Sequence, residues 1–470
     1  MINSRLLELL RSLSPTELTA FGKYLRSPFF NHREDIIRLF QHFLKNREGT
    51  GKETAFAAVF PGEPFEEKKY GYTVSFLYQA AQQFLVQQEL ASQGEPAFQL
   101  HLAKTLRSHG LERQSLTALQ KAETALRTQP ERNIQYHQHA QQLHLERFES
   151  EARQRRTVAG SFQAMAEEGD IHFAAQKLRQ GCTALVYKAV SEADYQLNFL
   201  EEALVMVERR QWQSLPAVGM YYFAYRALSE ADAQPWFEKL REAMNLHFRH
   251  FTKAEMRDIY TLAVNYCIRQ INTRQGEQGF YLQQVFGLYQ EGLENEVFTE
   301  NGELSRFTYN NIANAGLGLK AFDWVEDFLK KYKDALVPKH RESAYRFNLA
   351  VLRFRRSEYG EVLTLLTQTE FDDVLHQLDA RRMILRSYYE LGEFDALDSL
   401  LDSFQIFLRR RRDVGYLRQN YLNLIRLTRK LLQTTAHDHP ARERLRAEIA
   451  NCNPLAEKEW LTQKTNNPTT

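Results

Sequence analysis

Three side chains able to bind a metal stand in a row at His437-Asp438-His439, but the triplet falls in a polar break between helical patterns and has no fourth ligand at tetrahedral-site spacing. A solvated loop is the stronger reading. His137, His139 and His144 share one long polar stretch, and His247 and His250 stand three apart; neither set has two histidines four apart with a glutamate base between them. Gly316-Leu317-Gly318-Leu319-Lys320 has two glycines and a lysine but no preceding strand and no Gly-Lys-Ser/Thr ending, so it reads as a close helix contact rather than a phosphate loop. Cys267 lies on an apolar helical pattern, where a thiol is buried and inert. No serine occupies a nucleophile elbow. The expectation is a non-enzymatic protein with no metal and no cofactor.

One charge feature invites a different chemistry. Arg409, Arg410, Arg411 and Arg412 are followed by Arg418, Arg426, Arg429 and Lys430, with Asp413 the single acid among them. Such a patch would neutralise phosphates, and each contact would enter the salt dependence of binding. Only Tyr416 and Tyr421 stand nearby as stacking partners, and no recognition-helix or RNA-binding signature accompanies them. A solvated basic face or a contact with an acidic protein is favoured, and a nucleic-acid-associated regulator is the alternative. The whole chain supports that order, because 61 basic against 59 acidic residues leave a net charge of only +2.

The elements that must position these groups are helices. Glycine (21) and proline (12) are scarce in 470 residues, and no period-2 alternation bounded by turn residues predicts a sheet. A chain this long exceeds a single compact core, so it forms several domains or an elongated repeat array. Three widely separated cysteines, Cys182, Cys267 and Cys452, give neither a disulfide framework nor a zinc site and fit a reducing compartment. MINSRLLELLRSLSP lacks the apolar core of a signal peptide, and no window reaches the length of a membrane span; the expectation is a soluble, cytoplasmic protein with no membrane partner.

Ser14-Pro15-Thr16-Glu17 predicts a capped helix start, and Leu18, Phe21, Tyr24 and Leu25 share its buried face up to Ser27-Pro28. Phe29-Phe30 in the following turn is expected to plug a local core, with Asn31 and Glu34 opening the next helix. A helix over 68–91 carries Tyr72, Phe76, Ala80, Phe84 and Leu85 at helical spacing. Residues 1–93 then form a helical N-terminal domain, 94–305 irregular helical hairpins, 306–410 regular repeats and 411–470 capping helices. In the hairpin at 97–127, Leu116, Leu119, Ala122 and Leu126 are expected to face one way. Asn453 and Pro454 are expected to open a last helix, Trp460 and Leu461 to cover the end of the array, and 464–470 to fray.

The regular repeats rest on spacing. The turn aromatics Phe322, Tyr359 and Phe394 recur at 37 and 35 residues; Ala313, Ala350 and Leu385 precede them by nine, and Val325, Val362 and Leu397 follow by three. Small or medium residues there let paired helices approach closely.

Arg381-Arg382-Met383-Ile384-Leu385-Arg386-Ser387-Tyr388-Tyr389-Glu390-Leu391-Gly392-Glu393-Phe394 resembles the tetratricopeptide repeat in its paired tyrosines, turn glycine and turn aromatic. The resemblance covers about 100 residues, with Ser357 and Leu319 standing where two other units would carry the turn glycine. LRSPFFN at 25–31, NYCIRQIN at 265–272, YNNIANAGL at 309–317 and EKEWL at 457–461 also resemble a group of bacterial helical-repeat proteins that lends no established activity. The repeat resemblance implies an all-α fold in which a helical N-terminal domain leads into a right-handed α-α superhelix, or solenoid. It further implies a scaffold that takes a protein or peptide partner in the concave groove lined by the first helix of each pair. Residues four apart on those helices share a face: Asn310 with Asn314, Phe347 with Val351, and Arg382 with Arg386, with Asn348 and Tyr389 nearby. Arginine suits carboxylate capture because its fork binds both oxygens.

Overall fold

The computed structural model describes residues 4–47, 49–154, 160–191, 195–274, 276–371, 373–411, 414–415, 417–434 and 438–466. The chain is all-α and divides into two compact units, Met1–Lys177 with Glu201–Val218 and Leu178–Leu200 with Gly219–Thr470. Among the described residues no helix is long and apolar enough to cross a membrane.

In the first unit, α1 (Ser4–Ser12), α2 (Pro15–Arg26), α3 (Glu34–Lys45), α4 (Lys52–Val59) and α5 (Glu67–Ser92) enclose one core in which Leu10, Phe21, Leu25, Phe56 and Leu77 are fully buried. The start of α2 is the expected capping box: the Ser14 hydroxyl accepts from the Glu17 N–H, and the Glu17 carboxylate accepts from the Ser14 N–H at 2.7 Å. Those hydrogen bonds hold Glu17 below the usual carboxylate range.

Two expectations here need correction. Phe29 does not plug a core: it is 85% exposed, set edge-on against Phe30, which stacks on Tyr24 at 4.4 Å. The Asn31 amide instead ties the turn together by donating to the Leu25 carbonyl at 2.8 Å. On α5 the buried face is Tyr70, Val74, Leu77, Ala81 and Phe84, whereas Tyr72 and Phe76 point outward. Alpha-helical spacing alone did not separate the faces because α5 carries apolar residues on both.

Next come α6 (Gly94–Ser108), α7 (Glu112–Thr128) and α8 (Ile134–Gln154), where Leu100, Ala103, Ala118, Ala122 and Leu126 let α6 and α7 pack closely. Ser115 rather than Leu116 faces inward, donating to the Ala103 carbonyl at 2.8 Å, and Leu116 is exposed. The unit also takes in α9 (Gly160–Val190) as far as Lys177, most of α10 (Leu200–Arg210) and the start of α11 (Pro216–Ser229).

The second unit holds the rest of α9 and α11, then α12 (Gln234–His247), α13 (Lys253–Thr273) and α14 (Gln278–Glu294). A short antiparallel hairpin follows, β1 (Thr299–Glu300) with β2 (Glu303–Leu304). Asn301 and Gly302 both have positive φ between its strands, the turn this pair of residues favours, so the absence of long alternating runs did not exclude every strand.

Three helix pairs come next: α15 (Arg306–Gly318) with α16 (Phe322–Lys331), α17 (Pro338–Arg355) with α18 (Tyr359–Thr367), and α19 (Val374–Leu391) with α20 (Phe394–Arg410). The first helices also touch one another, α15 against α17 and α17 against α19. Ala313, Ala350, Leu385, Val325, Val362 and Leu397 are all fully buried, as the spacing predicts. Each pair closes with the same hydrogen bond five residues back, Ala321 N–H to Gly316 O, Glu358 N–H to Arg353 O and Glu393 N–H to Tyr388 O, all 2.9 Å. The left-handed residue at each closure lies two before the turn aromatic: Lys320, Ser357 and Gly392. Lys320, not Leu319, thus stands at the glycine position of the first pair.

The chain then runs through α21 (Leu417–Gln433), α22 (His439–Asn451) and α23 (Lys458–Asn466). The last helix opens at Lys458, not at Asn453, because Cys452–Glu457 forms a non-helical link first. Trp460 and Leu461 join the core of α19, α20 and α21. Lys464 is not frayed: it sits inside α23, while residues 467–470 lie outside those described.

Candidate functional site

Arg382 and Arg386, one turn apart on α19, converge on a carboxylate supplied from 71 residues or more along the chain. Arg382 Nη1 donates to Glu457 Oε1, Arg386 Nη1 donates to Glu457 Oε2 at 3.0 Å, and the glutamate side chain is only 12% exposed. Burial opposes the Arg382 charge, but Glu457 and Asp379 outweigh it and lift its pKa above the ordinary arginine value. A turn further along α19 the polarity reverses. Glu390 accepts from Trp460 Nε1 and from Lys464 Nζ, both at 2.7 Å. Tyr389 is buried edge-on against the Trp460 ring at 5.2 Å.

Beside these contacts lies a cleft of about 580 Å³ lined by Val351, Phe354, Arg355, Arg382, Arg386 and Trp460 among others. The Arg386 guanidinium rests 5.0 Å from the Phe354 ring centre and 5.8 Å from that of Trp460, and its Nε is buried without an acceptor. Arg355 is exposed and makes no ion pair or hydrogen bond among the described residues. The cleft therefore sets arginines beside aromatic rings, with Glu457 seated between two of them and Lys458 and Glu459 also on its wall.

The other residues named from the sequence divide sharply. Asn348, 1% exposed, donates to Asn310 Oδ1 at 2.5 Å and to the Ala344 carbonyl at 2.8 Å. Asn310 meets His376 Nε2 at 3.2 Å, and His376 packs on Phe347 at 4.3 Å. These four side chains satisfy one another inside the helix array. Asn314, one turn on, is exposed.

Val351, Arg382 and Arg386 are thus brought to one cleft, Tyr389 lies beneath its Trp460 wall, and Asn310, Phe347 and Asn348 are internal. Phe354 and Arg355 escaped the sequence reading, although both sit within a turn of Val351. Glu457 and Lys464 could have been found only by pairing the charges over 457–464 with those of α19.

The arginine run does not form one basic surface among the described residues. Arg426 and Lys430 both pair with Glu448, the latter at 2.7 Å, and Arg429 pairs with Asp402 and with Gln405 at 3.0 Å. Arg411 donates to Gln377 at 3.2 Å, and Arg418 donates to the Arg411 carbonyl. Arg409 and Arg410 are exposed. Arg412, Asp413 and Tyr416 lie outside the described residues.

Asp438, the Gly316–Gly318 pair and Cys267 have structural surroundings. Asp438 caps α22 by accepting from the Ala441 N–H at 3.0 Å, and His437 lies outside the described residues. A Cβ on Gly316 would come within 2.5 Å of Val325 Cγ2, and one on Gly318 within 2.9 Å of Leu282, which makes this glycine pair a close helix contact. Burial pushes the Cys267 thiol up to about 12. Comparison with family models, with curated proteins and with solved structures returns no match.

Proposed function

We propose that the chain is a cytoplasmic, non-enzymatic interaction scaffold in which α15 to α20 form tetratricopeptide-like repeats of a solenoid. The cleft among α17, α19 and the Glu457–Lys464 segment receives an acidic, extended segment of a partner protein. The three identical hairpin closures and the contacts between successive first helices support the repeat reading. The observation that carries the binding reading is the Glu457 carboxylate held by two arginines at the edge of a cleft that still contains exposed Arg355. A carboxylate entering the cleft meets Arg355, which no acid among the described residues pairs, beside the Phe354 and Trp460 rings.

Calorimetric titration with a glutamate-rich peptide and with a lysine-rich one of equal length tests this. The acidic peptide should bind and the basic one should not, and Arg355→Glu should weaken binding about tenfold or more, as loss and reversal of a contacting charge does. Equal binding of both peptides, or indifference to Arg355→Glu, rejects the cleft. The nucleic-acid reading now rests on exposed Arg409 and Arg410, and replacing both with Ala would flatten the salt dependence of nucleic-acid binding if it holds.

A further inference from the structure

The outward face of α5 carries no charge from Tyr70 to Gln88, in a chain whose residues are 26% charged. Its outermost side chains are Tyr72, Phe76, Gln79, Gln83, Val86 and Leu90, all exposed, with Tyr72 at 65% and Val86 at 60%. The steps between them are 4, 3, 4, 3 and 4, so the six side chains form one continuous stripe along the helix. Water-exposed helix faces of this length ordinarily carry charge, so this one is built to be covered. Neighbouring features extend it. Phe30 stacks on Tyr24, whose hydroxyl lies 3.4 Å from Gln83 Oε1, and the Arg33 guanidinium covers the Phe76 ring at 4.0 Å.

We infer that this seam is a self-association surface that packs against the same seam of a second copy of the chain, antiparallel. The reason for a second copy is that the seam maps onto itself when reversed. Turning one helix end for end about its midpoint at residue 81 sets Tyr72 against Leu90, Phe76 against Val86 and Gln79 against Gln83, so every ring meets an aliphatic side chain and every amide meets an amide. The two glutamines can exchange hydrogen bonds across the pair, which fixes the register. Direction follows from the flanks. A parallel pair would set Lys68 beside Lys68 and Glu89 beside Glu89, whereas the antiparallel pair moves Lys68 toward the end that bears Glu89; Glu67 and Lys69 are already occupied by Lys52 and Glu63. The strip from Tyr72 to Leu90 is about 27 Å long. That is short of the surface a permanent dimer buries, so association is concentration-dependent.

Sedimentation of the full chain over a concentration series, together with cysteine cross-linking, tests the pairing. Wild type should pass from monomer to dimer, and Phe76→Asp, at an exposed site, should raise the dissociation constant at least tenfold without changing the circular dichroism of the chain. An equimolar mixture of Gln79→Cys and Gln83→Cys chains should form a disulfide-linked dimer faster than either variant alone, since those two positions face each other; of the native cysteines, Cys182 and Cys267 are buried. A chain that stays monomeric at every concentration, a dimer indifferent to Phe76→Asp, or cross-linking no faster in the mixture overturns the inference. So does a seam that cross-links only to a different protein.

Discussion

Helices α19 and α5 both carry a face that an isolated helix would not leave to solvent, and the chain treats the two in opposite ways. Arg382, Arg386 and Glu390 on α19 are each met by a complementary group from Glu457–Lys464. The uncharged seam of α5 stays exposed, with the Arg33 guanidinium over its Phe76 ring. The difference lies in the forces. Charged and hydrogen-bonding groups are satisfied one at a time by directional partners, so a nine-residue helix and the turn before it suffice for α19. An apolar seam gains only from area, and no short segment supplies the area of another helix.

The largest test of this contrast removes one ring from each face. Trp460 is 2% exposed and bridges Tyr389, Glu390 and the α19–α21 core, so Trp460→Ala should lower stability by about 3–5 kcal/mol in a denaturant titration. Tyr72→Ala should change it by no more than about 0.5 kcal/mol at concentrations where the chain is monomeric. Similar losses at both positions would break the distinction between a covered and a bare face. Next in size is Glu457→Gln, which keeps the side-chain volume but leaves Arg386 without its anion and Arg382 with Asp379 alone. The expected loss is about 1–3 kcal/mol by the same titration, and a neutral result would mean that solvent already screens the pair.

Acidity separates the two faces more finely. Burial holds His376 below the usual imidazole range; Asp373 and Asp379 pull the other way, and Arg306 reinforces the burial. The folded chain therefore takes up this proton less readily than the unfolded chain, for which the reference is about 6.5. The stability linked to this ring is fully present above that value and is lost as pH falls through the folded pKa. Charging His376 also disturbs its contacts with Asn310 and Phe347, so amide protection factors in α15, α17 and α19, taken against the intrinsic exchange rate at each pH, should fall on acidification. From Tyr70 to Gln88, α5 contains no carboxylate, imidazole or amine, and self-association through it should be flat over the same range. A His376→Gln variant should remove the acid sensitivity of these protection factors; if it does not, the titrating group lies elsewhere.

Legibility followed the range of the interaction. The capping box at Ser14–Glu17, the buried positions of the three repeat pairs and the close approach at Gly316 depend on residues a few positions apart or on a repeated spacing, and both can be counted along the chain. The clasp between α19 and Glu457 spans 71–75 residues, and nothing local announces it. Phe29 and the α5 seam were misread for another reason: an apolar residue looks the same whether it is buried in its own fold or kept outward for another surface. Only the absence of charge from Tyr70 to Gln88 marked the seam in advance. The hairpin around Asn301-Gly302 was missed, because strands of two residues are too short to show any alternation.

The smallest effect concerns the repeat closures themselves. Gly392 takes a left-handed conformation that glycine adopts freely, whereas Lys320 and Ser357 adopt it at φ +58° and +61° against the preference of any residue with a Cβ. The identical backbone hydrogen bond at all three sites indicates that the helix packing, rather than the residue at the turn, sets this geometry. Ser357→Gly and Lys320→Gly should therefore each stabilise the second unit by about 0.5–1 kcal/mol, the relief of left-handed strain being partly offset by the greater freedom of glycine in the unfolded chain. Gly392→Ala should lose about as much. Thermal unfolding followed by circular dichroism at a wavelength reporting helix would resolve shifts of this size. If both glycine variants destabilise, the Lys320 and Ser357 side chains hold their turns by contacts of their own, and the three closures are alike in shape but not in cause.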